Sequence, residues 1–328
     1  MLALPLKQLS SRRVLLSIAA GLALLFGAFA AALYVDPVGL FRSLQRFRLR
    51  LAGLEHRTLP APRGTLSYWE GGKGPLLVLV HGLGNDAGIW APVAPALLAK
   101  HRLLVIDLPG HGTSAPASGP LGLRDEVAGL ETLLAARAKK ERPVLVGSSL
   151  GGWVGLLYAE RHPERISRLV LLDTGGYLYP TRVRFLVRNR AEARTLTRAL
   201  VGPKIPPFPG FVLDDVVEKL QEGPSPRIFQ SFRPADFLDR RIGRIRTPAD
   251  VVWGEADGIF PVDVGRRFAR ELPRARFHLI PGCGHTPQAE CPARFAKLLL
   301  WILDEPPPEP TVDVPDEPWR DPIGKPAG

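Results

Sequence analysis

The stretch VLVGSSLGG, residues 144–152, runs from a short apolar segment into a knot of small residues and straight out into WVGLLYAE. Gly tolerates backbone angles that other residues resist, so the plainest reading is a tight strand-to-helix turn. The sharper reading is a nucleophile elbow, Gly147-Ser148-Ser149-Leu150-Gly151, in which a strained turn lifts one hydroxyl above a sheet and the flanking Gly residues prevent clashes. The five-residue pattern alone does not choose between the two. The rest of the chain does.

Outward from the elbow, residues from about 65 to 304 alternate apolar runs with helical stretches. The runs are PLLVLVHG (75–82), HRLLVIDLPG (101–110), RPVLVGSS (142–149), ISRLVLLDT (166–174), PADVVWGEAD (248–257) and ARFHLIPGCGH (275–285). Each is nearly all apolar and ends in Gly, Asp, His, Ser or Thr, as suits strands buried on both faces of a mostly parallel sheet. RDEVAGLETLLAARAKK and PVDVGRRFARELP supply helical spacing between them. The expectation is an α/β fold with a mostly parallel, doubly wound sheet, whose ligands bind where the strands end. The rhythm breaks between Gly175 and about Ile245, where no convincing strand occurs. So long an insertion predicts a helical cap over the strand ends, its apolar residues lining an acyl pocket.

A hydrolase working through serine needs a nucleophile, a base, a carboxylate to orient that base, and donors for the oxyanion. Ser149 stands in the strand-turn-helix setting; Ser148 is the weaker nucleophile, because the elbow exposes its central residue. Of the seven His residues, His285 lies in a Gly-rich loop after the last strand, where it can swing over Ser149. The others have plainer settings in Gly turns, helix ends or strands. Asp257 ends the preceding apolar run, giving the chain order Ser, Asp, His; Asp173 is the rival acid, with Glu255 and Asp263 behind it. The oxyanion donors expected are the backbone N–H groups of Leu150 and Leu83.

At 328 residues and 45% hydrophobic the chain can bury a sizeable core. Its net charge of +11 is regional: residues 1–63 hold nine Lys or Arg against two Asp or Glu, and residues 175–245 hold thirteen against seven. Those two excesses exceed the total, so the remainder is slightly acidic. One region adjoins a membrane-length segment and the other is the expected cap, which favours anionic lipid headgroups over nucleic acid as a partner. No zinc spacing, dinucleotide fingerprint or phosphate loop occurs, so neither a metal nor a nucleotide cofactor is expected. Cys283 and Cys291 imply no disulfide framework; two buried thiols are the expectation, with a single bridge as the alternative.

Val14 to Val35 carries no charged residue and is long enough to cross a bilayer. A cleaved signal peptide competes, because AFA at 28–30 offers a cleavage site, but the apolar run continues past it. LFRSLQRFRLRLAGL then sets Leu40, Leu44, Phe47, Leu51 and Leu54 at helical spacing among four Arg, which reads as a basic amphipathic helix either near the membrane surface or docked on the folded domain. The expected organisation is an anchor over 1–36, a juxtamembrane segment over 37–63, a catalytic domain over 64–304 with its cap at about 175–245, and a disordered Pro- and acid-rich tail over 305–328.

HGLG, DLPGHGTS, GSSLGG, WGEADGIFP and GCGH, in this order over residues 64–304, resemble the landmarks of the α/β-hydrolase superfamily. Members that are haloalkane dehalogenases or epoxide hydrolases use Asp as nucleophile, so Ser149 speaks against both. With the membrane helix and the basic helix after it, the chain looks most like membrane-anchored monoacylglycerol lipases and bacterial lipases and esterases. That resemblance implies an ester of a medium or long acyl chain. The triad chemistry calls for no cofactor, and the apolar span and basic stretches lead to the expectation of membrane lipids as surroundings and the bacterial inner membrane as location. A carbon–carbon bond hydrolase, a lactonase, a cofactor-free perhydrolase and a non-catalytic binding protein are the alternatives on the same fold.

Overall fold

The computed structural model describes residues 11–309, with only the backbone of 11–13. One sheet of eight strands forms the centre, in the order β1-β2-β4-β3-β5-β6-β7-β8. The strands are β1 Glu55–Ala61, β2 Gly64–Gly71, β3 Leu76–Val80, β4 Arg102–Ile106, β5 Val144–Ser148, β6 Arg168–Leu172, β7 Ala249–Gly254 and β8 Ala275–Ile280. The six apolar runs of the sequence are β3 to β8, all parallel to one another. Alternate side chains of each strand point to opposite faces and feed two separate cores: Val78, Val80, Leu145 and Leu169 one, Leu77, Leu79, Val146 and Val170 the other. That division explains why the runs lack polar alternation.

β1 and β2 form an antiparallel hairpin, and β2 pairs antiparallel with β4. β1 lies within the stretch read as a juxtamembrane segment. It is an edge strand whose side chains are mostly exposed, so it shows no apolar run to read.

The helices are α1 Ser11–Val35, α2 Pro37–Leu51, α3 Ala94–Leu98, α4 Leu123–Arg137, α5 Leu150–Arg161, α6 Arg190–Leu200, α7 Gly210–Glu222, α8 Ser225–Ser231, α9 Val262–Glu271, α10 Pro287–Glu290 and α11 Pro292–Asp304. α4, α5 and α9 cover one face of the sheet, while α3 and α11 cover the other. The insertion between β6 and β7 holds α6, α7 and α8; α6 and α7 pack a small separate core, with Val187, Leu196 and Leu213, that Ile259 from the loop after β7 completes, while Ile228 of α8 joins the main core. Asn189 caps α6: the Asn189 side chain accepts the Glu192 N–H and the Glu192 carboxylate accepts the Arg188 N–H.

α1 contains Val14–Val35, 22 residues of mean hydropathy 2.4, none of them buried. Asp36 then caps α2 by accepting the Gly39 N–H. The inner face of α2 buries Gln45 and Leu49, and Leu54 follows into the core, whereas Phe41, Leu44, Phe47 and Leu51 are exposed. α2 is also tied to α7: the Val38 N–H donates to Asp215 Oδ2 at 2.7 Å, Lys219 pairs with Asp36 at 3.2 Å, and Tyr34 stacks on Phe211. At the other end, the carbonyls of Pro306 and Pro308 accept from Arg276 and Arg274. The rest of the expected tail, from 310, and the basic Lys7 lie outside the described residues, as do the side chains of Arg12 and Arg13.

Candidate active site

β5 ends at Ser148, and Ser149 takes φ 53° and ψ −114°, a left-handed conformation that a non-Gly residue rarely adopts. Close packing enforces the Gly pattern around it. A Cβ on Gly151 would sit 2.3 Å from the Val80 carbonyl oxygen, and one on Gly147 would sit 2.5 Å from the Gly151 carbonyl oxygen. Ser148 is buried and its Oγ accepts from Gln288 Nε2 at 3.1 Å. Ser149 is half-buried, facing a cavity.

His285 Nε2 lies 2.9 Å from Ser149 Oγ, and His285 Nδ1 lies 2.8 Å from Asp257 Oδ2. The other oxygen of Asp257 accepts the N–H groups of Ile259 and Phe260 at 2.7 and 3.1 Å. Three donors thus converge on one buried carboxylate. Asp173 is also buried, at φ 45°, with Oδ1 accepting the Gly254 N–H at 2.8 Å. Burial first, and then the neighbouring Asp257, push its carboxyl well above the usual range. Glu255 is exposed and accepts the Gly282 N–H, and Asp263 is exposed on α9, so neither approaches His285.

The loop carrying His285 is held from several sides. The His285 N–H donates to the Leu200 carbonyl in α6, and Glu290 accepts from the N–H groups of Gly202, Gly284 and Thr286. Cys283 and Cys291 form a disulfide, their Cα atoms 6.3 Å apart, which corrects the expectation of two thiols. The short α10 turns the chain back and brings the pair within bridging distance, something residue spacing does not reveal.

Leu83 and Leu150 both border the cavity beside Ser149, and neither backbone N–H meets a protein acceptor among the described residues. A Cβ on Gly82 would lie 3.1 Å from Ser149 Cβ, a tight contact that a larger residue would make only by a small shift of the elbow. The turn is braced by side chains that the pattern of strand ends did not single out. Burial holds His81 below its usual pKa, as a neutral ring: Nδ1–H donates to the Gly82 carbonyl and Nε2 accepts the Leu108 N–H. Asp107 accepts the Ala87 N–H at 2.7 Å. From outside, Arg42 of α2 donates to the Gly84 carbonyl and Arg46 pairs with Asp86 at 3.1 Å. Asp107 opens the DLPGHG stretch directly after β4, a signal of position that carries no partner; Arg42 and Arg46 carry no signal beyond their charge.

The cavity has a volume of about 160 Å³ and opens to solvent. Trp153, Tyr177, Phe185, Phe229, Phe232 and Phe260 line it, and neither Lys nor Arg does. Phe260 also sets its ring edge-on to His285, with centroids 5.6 Å apart. A hydroxyl, an imidazole and a carboxylate in hydrogen-bond sequence, beside two free N–H groups and under an aromatic roof, can carry out acyl transfer.

Residues 77–298 match the alpha/beta hydrolase family, and the chain belongs to it. It is 25% identical to human monoacylglycerol lipase ABHD6 over 304 residues, 84% of this chain and 90% of that protein. It is 30% identical over 263 residues to the 2-hydroxy-6-oxononadienedioate/2-hydroxy-6-oxononatrienedioate hydrolase of Paraburkholderia phymatum, 70% of this chain and 87% of that one. Among solved structures, that of a membrane phospholipase A superposes with a TM-score of 0.70 at 28% identity, covering 88% of this chain and 98% of the other.

Proposed function

We propose that this member of the alpha/beta hydrolase family is a membrane-associated serine esterase of lipase type. The observation that carries the reading is the sequence of contacts from Ser149 Oγ to His285 Nε2, 2.9 Å, and from His285 Nδ1 to Asp257 Oδ2, 2.8 Å, at the floor of an aromatic cavity. Ser149 Oγ attacks the ester carbonyl while His285 takes its proton. The Leu83 and Leu150 N–H groups stabilise the resulting oxyanion, and Asp257 holds the imidazolium. His285 then protonates the leaving alcohol. A water molecule, deprotonated by the same imidazole, releases the acyl group and restores Ser149.

The apolar lining suits an acyl chain. It suits the substrate named for the Paraburkholderia relative less well, since a dioate brings two carboxylates and the lining offers them no cation. The apolar Val14–Val35 supports a membrane anchor, and the lipase relatives support a lipid ester. The Cys283–Cys291 bridge supports placing the catalytic domain in an oxidising compartment. A series of p-nitrophenyl esters of increasing acyl length, run beside a dienedioate substrate, tests the reading. Ester turnover that rises with chain length is expected, together with labelling of Ser149 by a fluorophosphonate. Turnover of the dienedioate alone overturns it.

A further inference from the structure

We propose that Asp173 is a positioning residue of this site, a neutral carboxylic acid that donates a hydrogen bond to the Asp257 carboxylate and so keeps Asp257 ionised and aimed at His285. The inference rests on the triad reading above. Asp173 ends β6, next to β7, and is pinned there twice: its N–H donates to the Val252 carbonyl at 3.0 Å and its Oδ1 accepts the Gly254 N–H at 2.8 Å. Its other oxygen, Oδ2, is buried and meets no protein donor. One oxygen of Asp173, one of Asp257 and a ring nitrogen of His285 all lie within 4.8 Å of one another.

Two carboxyls so close cannot both be charged at low cost, and the distribution of donors decides between them. Asp257 receives three N–H groups and Asp173 receives one. The charge therefore belongs on Asp257. The charged and titratable groups facing Asp173 are Asp257, Glu290 and His285, and both carboxylates oppose its ionisation. Beside an acceptor, an orphaned carboxyl oxygen makes a hydrogen bond only if it carries a proton itself; with that proton, Asp173 reaches Asp257. A hydrogen bond given to Asp257 spreads its negative charge and lowers its affinity for the imidazolium proton, so that the proton stays on His285 for the leaving group. The left-handed backbone of Asp173, unusual for a residue with a side chain, fixes the carboxyl in this place.

The test compares Asp173→Asn, Asp173→Gly and Asp257→Asn in the full-length protein, using kcat and KM for a short soluble ester across pH. Asn tolerates the φ of 45°, accepts from Gly254 and donates to Asp257; Gly tolerates the φ but removes the carboxyl. Asp173→Gly is expected to lower kcat about 10- to 100-fold with KM little changed, the equivalent of one hydrogen bond to a charged group. Asp173→Asn should restore most of that loss and leave the acid limb of the pH profile where the unsubstituted protein has it. The infrared difference between the unsubstituted protein and Asp173→Asn at neutral pH should show the carbonyl band of one protonated carboxyl, distinct from any band of the buried Glu126, which both proteins share. If Asp173 were ionised, Asp173→Asn would remove a negative charge near His285 and move the acid limb to lower pH, which overturns the proposal. Unchanged kcat in folded Asp173→Gly overturns it too, and so does an absent infrared band with activity lost to a chelator, which would place a cation between the carboxyls. Should Asp173→Gly fail to fold, the Asn profile and the band still decide. A larger loss in Asp173→Asn than in Asp257→Asn would instead make Asp173 the triad acid and refute the reading beneath.

Discussion

Replacing Ser149 by Gly should abolish turnover and at the same time stabilise the protein relative to Ser149→Ala. Both substitutions remove the hydroxyl and both leave His285 Nε2 facing the half-buried cavity, so the difference between them isolates the backbone. At φ 53° and ψ −114°, a residue with a Cβ carries about 1–3 kcal/mol of strain that Gly does not. Gly gives back about 0.4–1 kcal/mol through the greater freedom of its unfolded chain. The net expectation is that Ser149→Gly is more stable than Ser149→Ala by about 1 kcal/mol. Urea unfolding in detergent, with equal slopes for the two variants, reads this as a shift in midpoint. Ester turnover should fall on the order of 10⁴-fold or more in both. If Ser149→Gly is the less stable of the two, the elbow is not a strained turn. If either folded variant keeps near-native turnover, Ser149 is not the nucleophile.

Asp257→Asn should cost roughly 10⁴-fold in kcat with the fold retained, because an amide favours the wrong imidazole tautomer; a loss of less than tenfold removes Asp257 from the triad. Deleting residues 1–33, which spares the Asp36 cap of α2, should leave turnover of a short soluble ester nearly unchanged while sharply lowering activity on monoacylglycerol in anionic liposomes. Added salt should depress the remaining liposome activity, and equal loss on both substrates would assign the segment to folding instead. At the opposite end of the sheet, Asp250 is buried with Arg168 at 2.6 Å and His278 at 2.7 Å. Burial alone would raise its pKa, but the His278 hydrogen bond and the charges of His278 and Arg168 outweigh burial and the net direction is down. Its contribution is therefore present above the unfolded carboxylate pKa and lost as pH falls through the lower folded value. Asp250→Asn should cost about 3–5 kcal/mol at pH 7, because it strands Arg168, and the gap to the unsubstituted protein should narrow in strong acid. A gap independent of pH refutes the ionic account.

The six parallel strands were legible because a strand buried on both faces has to be apolar at every position, and that shows without any knowledge of its neighbours. The edge hairpin was not, since β1 is held by backbone pairing and a mostly exposed edge leaves no pattern in the side chains. Ser149, Asp257 and His285 could be picked out because each sits where an apolar run ends in small residues, a local signal of a strand's C-terminal end. Glu290, Asp107 and Asp173 each accept a donor from a remote segment, Gly202, Ala87 and Gly254 in turn, and no spacing records which N–H will arrive. The same limit applies to α2. Helical periodicity sorts its residues into faces, yet burial of one face depends on what the fold sets against it. The apolar stripe Phe41, Leu44, Phe47 and Leu51 remains exposed, while Gln45 and Leu49 turn inward between Arg42 and Arg46. Those two guanidinium groups find the Gly84 carbonyl and Asp86 on the turn that carries Leu83. Of the two places that the hydrophobic spacing left open for this helix, near the membrane surface or docked on the folded domain, the contacts show docking, as a brace of the candidate oxyanion turn, and the residues that make it one are the polar residues of the opposite face.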